Sequence, residues 1–260
     1  MWPPPPGGTW VVDLDGVVWL TGQPIAGVDE AVARLRGAGV RVLFATNNSA
    51  PTRAELHRRL AHCGITAADA DVLSSADVAA GMLAPGTSAL VLGDDGVVEA
   101  LARRGVTVVP EGPADAVVVG WTRSFTFDAV SRAAATVRSG ARLIGTNEDP
   151  TLPTPEGPVP GAGALLAAVA TAAGTAPEVA GKPYPPTADA IKGLVTAGEL
   201  RAMVGDRPAT DGELAAQLDI PFALVLTGVT RPGDVPPDAD AAVVAPDLGR
   251  LVRDALGPPR

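Results

Sequence analysis

Short apolar runs alternate with longer amphipathic stretches along most of the chain. The runs Trp10–Leu14, Arg41–Ala45, Ala89–Leu92, Ala116–Val119, Arg142–Gly145, Ala202–Val204, Ala223–Leu226 and Ala241–Val244 predict strands. Several are apolar at successive positions, the mark of strands buried on both faces of a parallel sheet. Helical spacing predicts helices near 28–38, 51–63, 75–84, 95–104, 126–138, 162–173, 186–197, 211–218 and 247–256. Gly39 and Gly174 follow the first and sixth of these, where a helix stop is expected. Alternation on this scale predicts an α/β fold with a mainly parallel sheet.

Composition narrows the picture. Hydrophobic residues make up 47% of the 260 and aromatics only 3%, so the core must be built from Val, Leu, Ile and Ala. A formal net charge of −9 argues against nucleic acid or an anionic membrane surface as partner. An anionic ligand would then need local cations to hold it. Cys63 is the single cysteine, which rules out an intrachain disulfide and fits a reducing cytoplasm. The opening "MWPPPPGG" lacks the basic and apolar regions of a signal peptide, and residues 1–8 are expected to form a loose Pro-rich arm. No run reaches the ~18 apolar residues of a membrane span. "GAGALLAAV" at 161–169 lacks the third glycine of a dinucleotide loop and reads as a Gly-rich helix start.

Chemistry concentrates at strand tips. In "VVDLDGVVWL", Asp13 and Asp15 alternate with Leu14, so the two carboxylates would share one face as the chain turns at Gly16. Two such carboxylates repel unless a cation or a shared proton intervenes, and a hard cation such as Mg2+ resolves the conflict. "FATNNSAP" ends another strand with Thr46, Asn47, Asn48 and Ser49 ahead of a helix, a setting for a phosphate; Ser49 alternatively reads as a plain helix cap. "VAGKPYPP" places Lys182 in a tight loop, and "MVGDRPATD" ends a third strand in Asp206, with Asp211 opening a helix. His57 and His62 lie five apart, which does not suit a zinc pair on one helical face. Trp19 is expected to pack against the core or, alternatively, to line the entrance, and Cys63 to be structural.

The order and spacing of "DLDGVVW", "TNNS", "GKP" and "GDRPATD" resemble the haloacid-dehalogenase superfamily of phosphatases. "GTNEDPTLPTPEGPVPGAGAL" and "DAVVVGWTRSFTF" resemble, more finely, its class IIA, the NagD-like and p-nitrophenylphosphatase-like branch. The resemblance implies a Rossmann-like α/β core and an Mg2+-dependent phosphomonoester hydrolase working through an aspartyl-phosphate. It makes Asp13 the nucleophile and Asp15 the general acid and base. Asp13, the Asp15 backbone carbonyl and Asp206 would hold the metal, with Asp211 bracing it. Thr46, Asn47, Asn48 and Lys182 would bind the phosphoryl group, Lys182 also offsetting charge on the nucleophile. Asn147, Asp149 and Leu152 fall in the segment that resembles the branch's specificity loop and are expected to face the substrate, although turn chemistry explains much of that sequence.

The interval from Asp15 to Thr46 accommodates one helix and a strand, whereas that from Thr46 to Lys182 far exceeds one crossover. Residues 84–177 are therefore expected to form an inserted α/β cap, with 9–83 and 178–260 as a discontinuous catalytic core. The substrate expected is a small phosphorylated metabolite: a two- or three-carbon phosphate such as phosphoglycolate or glycerol phosphate, or a sugar phosphate. Relatives of this branch imply a homodimer paired through the cap. A phosphotransferase or phosphomutase would carry the same motifs, and a non-catalytic phosphate-binding protein is a third reading.

Overall fold

A computed structural model describes residues 2–154, 157–196, 198–236 and 239–257. The end of the helix expected over 186–197, two residues of the segment 145–165, Met1 of the arm and residues 258–260 lie outside the described residues. The chain divides into two compact units. The first comprises Met1–Thr46, His57–Leu73 and Ala188–Arg260; the second comprises Asn47–Leu56 and Ser74–Thr187. No helix among the described residues is long and apolar enough to cross a membrane.

The first unit is built on a six-stranded sheet ordered Val243–Ala245, Phe222–Val225, Leu200–Gly205, Thr9–Val12, Arg41–Thr46, Val72–Ser74. Thr9–Val12 pairs in parallel with both of its neighbours. Its four residues are all buried, as the unbroken apolar run requires. The helix Val28–Gly37 buries Val28, Ala31, Val32 and Leu35, the one-sided stripe of an amphipathic helix, and packs against Leu248–Leu256. In the N-terminal arm, the Trp2 ring stands 5.4 Å from that of Trp10.

The second unit has a five-stranded sheet ordered Glu178–Val179, Arg142–Gly145, Ala116–Val119, Ser88–Leu92, Thr107–Val109, with all pairs parallel. Its core joins Leu90, Leu92, Val117, Val119 and Leu143 to Ala133, Ala134 and Val137 of one helix and Leu165, Leu166 and Val169 of another. Those two helices, Phe127–Arg138 and Ala162–Ala173, pack side by side. Small alanines on both allow the close approach. The helix ends where Gly174 takes a left-handed cap at φ 70°.

The structure moves some expected boundaries. The first strand stops at Val12 rather than Leu14, because the Leu14 carbonyl accepts the amides of Val17, Val18 and Trp19 and the chain is already turning. The helix expected from residue 211 starts at Glu213, after a π-type turn over Pro208–Gly212. Val72–Ser74, Thr107–Val109, Glu178–Val179 and the hairpin Thr151–Thr154 with Gly157–Pro160 were not anticipated, since such short strands show no period of their own. Ser49 is not the cap of the helix Arg53–His62. Thr52 and Glu55 form reciprocal bonds there, Glu55 N to Thr52 Oγ1 at 3.2 Å and Thr52 N to Glu55 Oε2 at 2.9 Å.

Gly96 lies against the chain segment 49–51. Its amide donates to Ala50 O at 3.0 Å, and a Cβ there would stand 2.3 Å from Pro51 O and 2.5 Å from Ser49 O. Backbone cannot yield cheaply, so Gly96→Ala is expected to lower the apparent Tm by about 3–10 °C. Scanning calorimetry checks this; an unchanged Tm would show that segment 49–51 is not seated there.

Candidate active site

The order of the six-stranded sheet creates a natural crevice. Strands earlier in the chain lie to one side of Thr9–Val12, and later ones lie to the other. Such a reversal opens a gap at the carboxyl ends of the two central strands, where open α/β sheets bind ligands. Asp13 follows one of these strands and Asp206 the other. They are placed in register by Asp13 N donating to Val204 O at 2.9 Å.

Asp211 reaches the same place from the π-type turn. The Arg207 carbonyl accepts amides from Thr210, Asp211 and Gly212, which winds that turn wide. Asp211 Oδ2 in return accepts from Arg207 N at 3.1 Å. One carboxylate oxygen each from Asp13, Asp206 and Asp211 falls within 4.8 Å of the others, and all three residues are buried. Asp211, expected as a brace behind the metal, thus stands in the cluster itself. Three buried carboxylates at this spacing are costly unless a cation offsets them. Oxygen donors alone, close together and held by short loops, fit a hard divalent ion such as Mg2+.

Glycines make the crowding sterically possible. Gly16 has φ 88°, and a Cβ on it would lie 2.5 Å from Asp206 Oδ2. A Cβ on Gly228 would lie 1.9 Å from that oxygen, and one on Gly205 would lie 2.2 Å from the Asp211 carboxyl carbon. Val229 N donates to Asp206 Oδ2 at 2.5 Å, and Thr227 Oγ1 donates to Gly16 O at 2.5 Å. The segment 227–229 therefore belongs to the site, although nothing in its sequence announced it.

Asp15 points into a different set of partners. Its Oδ1 accepts from Trp19 Nε1 at 2.9 Å, and its Oδ2 accepts from Thr46 Oγ1 at 3.2 Å. Two donors from two directions fix the rotamer of a half-buried carboxylate. Trp19 is buried and also holds Asp15. The signal available in sequence was its position, four residues beyond Asp15.

The remaining expected site residues lie in the second unit. Asn47 pairs with both polar groups of one backbone residue: Lys182 N donates to its Oδ1 at 2.8 Å, and its Nδ2 donates to Lys182 O at 3.0 Å. That Nδ2 also reaches Asp149 Oδ2 at 3.2 Å. Asn48 turns inward, its Oδ1 accepting from Ala50 N at 3.2 Å. Asn147 is buried, with its Nδ2 donating to Asn47 O at 2.7 Å and its Oδ1 accepting from Asp149 N at 3.0 Å. Ser49, fully buried, accepts from Trp121 N at 3.3 Å and from Thr146 Oγ1 at 3.0 Å. Lys182 is buried as well. Leu152 is half-buried and sits opposite Val159 in the hairpin. His57 stands 2.8 Å from Asp69, and Cys63 is buried with its thiol pKa pushed up by desolvation, the state of an unreactive core cysteine.

Comparison with known proteins agrees with this architecture. A family model described as haloacid dehalogenase-like hydrolase matches residues 10–107, and one described as HAD-hydrolase-like matches 179–251. The chain is 38% identical over 232 residues to the D-glycerol 3-phosphate phosphatase of Mycobacterium tuberculosis, covering 86% of this chain but only 64% of that protein. The crystal structure of glycerol phosphate phosphatase from that organism in complex with magnesium superposes with a TM-score of 0.83 at 35% identity, over 94% of this chain and 76% of that one. An acid sugar phosphatase of Staphylococcus saprophyticus is 33% identical over 230 residues, 87% of this chain and 89% of its own. The p-nitrophenyl phosphatase of Archaeoglobus fulgidus superposes with a TM-score of 0.89 at 28% identity, over 96% and 100% of the two chains.

The glycine wall yields a prediction. Gly205→Ala and Gly228→Ala each push a methyl into a cluster carboxylate, so Mg2+ affinity is expected to fall at least about tenfold. Calorimetric Mg2+ titration, with Tm recorded for each variant, measures this. Unchanged affinity in a folded variant would mean that these carboxylates do not hold the ion.

Proposed function

The chain belongs to the haloacid dehalogenase-like hydrolases, and from that premise we propose that it is an Mg2+-dependent phosphomonoester hydrolase acting on a small phosphorylated metabolite. The observation that carries the reading is the buried cluster of Asp13, Asp206 and Asp211 at the sheet's crevice, with Asp15 held apart from it by Trp19 and Thr46. Two carboxylates that follow one strand thus receive different tasks.

In this mechanism an Asp13 carboxylate oxygen attacks phosphorus, and the bond from phosphorus to the leaving oxygen breaks. Asp15 gives its proton to that oxygen, so an alcohol departs and an aspartyl-phosphate remains. The Asp15 carboxylate then takes a proton from water. The resulting hydroxide attacks phosphorus, the bond to Asp13 breaks, and inorganic phosphate leaves. When bound, Mg2+ supplies charge neutralisation to Asp13 and to the transferring oxygens. Trp19 holds Asp15 in one orientation through both proton transfers, and the Thr46 hydroxyl turns from Asp15 to the phosphoryl group when that group is bound. Thr46 and the backbone amides at Asn47 and Asn48 bind phosphoryl oxygens, and Lys182 offsets their charge.

We assign the nucleophile, the general acid and base and the metal ligands to residues of the first unit, and a part in substrate selection to Leu152 in the hairpin of the second. The substrate class rests on the chemistry named for the relatives: glycerol phosphate and acid sugar phosphates are compact, hydroxylated monoesters. A net charge of −9 concentrates the need for cations at the phosphoryl site and disfavours polyanionic substrates.

The direct test is release of inorganic phosphate from a panel of phosphomonoesters, p-nitrophenyl phosphate included. Activity should vanish in EDTA and return with Mg2+, while Asp13→Asn should fold and lose turnover by at least about 10⁴-fold, since an amide does not attack phosphorus. Substantial turnover by a clean Asp13→Asn preparation would remove the nucleophile assignment. Leu152→Arg should change kcat/KM unequally across the panel, whereas Asp206→Ala should depress all substrates alike. An unaltered order of preference in folded Leu152→Arg would show that Leu152 does not face the substrate.

A further inference from the structure

The segment that follows the strand Phe222–Val225 makes three bonds beside the acidic cluster. Thr227 Oγ1 donates to Gly16 O and Val229 N donates to Asp206 Oδ2, both at 2.5 Å, and Thr230 N donates to Asp206 O at 3.3 Å. The strand it follows lies beside Leu200–Gly205 and not beside Thr9–Val12. The bond from Thr227 therefore passes over the tip of the intervening strand to reach Gly16, 211 positions away in sequence. All of these residues belong to the first unit.

Gly16 and Gly228 meet there as bare backbone. A Cβ on Gly228 would lie 2.8 Å from the Gly16 Cα, and one on Gly16 would lie 3.0 Å from the Gly228 Cα. The same added atoms would stand 1.9 Å and 2.5 Å from Asp206 Oδ2, so the carboxylate rests against both backbones. The Gly16 turn is closed from within: Gly16 N donates to Trp19 O at 2.7 Å, and Leu14 O takes the amides of Val17, Val18 and Trp19. A turn closed in this way keeps its own shape, and the Thr227 hydroxyl sets where it stands against Gly228. The sheet, meanwhile, fixes the backbone of Asp13 through Val204 O.

We propose that Thr227 is a positioning residue that sets the size of the cation site, by clamping the Gly16 turn onto Gly228 against the Asp206 carboxylate. The proposal rests on reading the acidic cluster as the Mg2+ site and gives that site its selectivity. Mg2+ requires near-octahedral donors at about 2.0–2.1 Å, whereas Ca2+ accepts a looser shell at about 2.3–2.6 Å. A clamp that keeps Asp206 from drifting therefore favours the smaller ion. Without the hydroxyl the two backbones can part, and the cost falls on Mg2+ more than on Ca2+.

The test titrates the full chain calorimetrically with Mg2+ and, separately, with Ca2+, well below each variant's Tm. Thr227→Val keeps the shape of the side chain and loses the hydroxyl. It is expected to weaken Mg2+ about tenfold and Ca2+ no more than about threefold. Thr227→Ser keeps the hydroxyl and should stay within about twofold of the native Mg2+ affinity. Thr227→Ala reads the same bond if Thr227→Val does not fold. Unchanged Mg2+ affinity in the variant that lacks the hydroxyl overturns the proposal, whether or not Tm falls. Equal losses for the two ions overturn it as well, since the clamp would then not set the size of the site. So does a failure of Thr227→Ser to restore Mg2+ binding, because the hydroxyl would not be the group that acts. If the native protein binds Mg2+ but hydrolyses no ester, the hydrolase reading fails alone, and the titrations still decide the clamp. If it binds no Mg2+, the clamp fails, and phosphate release decides the hydrolase reading separately.

Discussion

Crowding of negative charge at the end of a parallel sheet is the constraint on which the first unit depends. Asp13, Asp206 and Asp211 bring three carboxylates into one buried place, where each alone would be costly. The fold tolerates this by removing every atom that would compete for the space. Gly16, Gly205 and Gly228 line the cluster with bare backbone, and a single methyl on any of them would overlap a carboxylate. The amide of Val229 supplies a donor to Asp206. A divalent ion held by these oxygens would offset much of the negative charge gathered there.

Asp13 and Asp15 are near neighbours in sequence but not in environment. Asp13 joins the acidic cluster. Asp15 is held by an indole and a hydroxyl, partners that orient a carboxylate without cancelling its charge. The division follows from the turn at Leu14, whose carbonyl gathers three amides and rotates the chain before Asp15 is reached. Strand alternation, which would have set both carboxylates on one face, stops two residues too early to apply.

The second unit solves a different problem. Its loops carry many polar groups away from water, and it satisfies them by reusing one residue. Asn47 serves Lys182 twice, Asp149 once, and takes Ser75 and Asn147 on its carbonyl. A side-chain amide is the one group able to mimic a strand edge against both the N–H and the C=O of Lys182. An aspartate there would lose the donor, and a serine would lose the reach.

Local information settled the skeleton of this protein. Helix and strand alternation is written in apolar periodicity, and the helices 95–104 and 162–173 stand where the pattern and its glycine stop put them. The chemical types at the strand tips were legible too, because few purposes bring carboxylates, a hydroxyl, amides and a lysine to such positions. Strands of two or three residues were not legible, since three residues carry no period. Nor were the roles of Trp19, Ser49, Ser75 and Gly228. The bond from Ser75 to Asn47 spans 28 positions, that from Asn147 spans 100, and that from Asn47 to Lys182 spans 135. Separations of that kind leave no periodic trace. Only the tertiary structure, by choosing which segment lies beside which, decided that Asp206 meets Asp13 and that Asn147 donates to the Asn47 carbonyl.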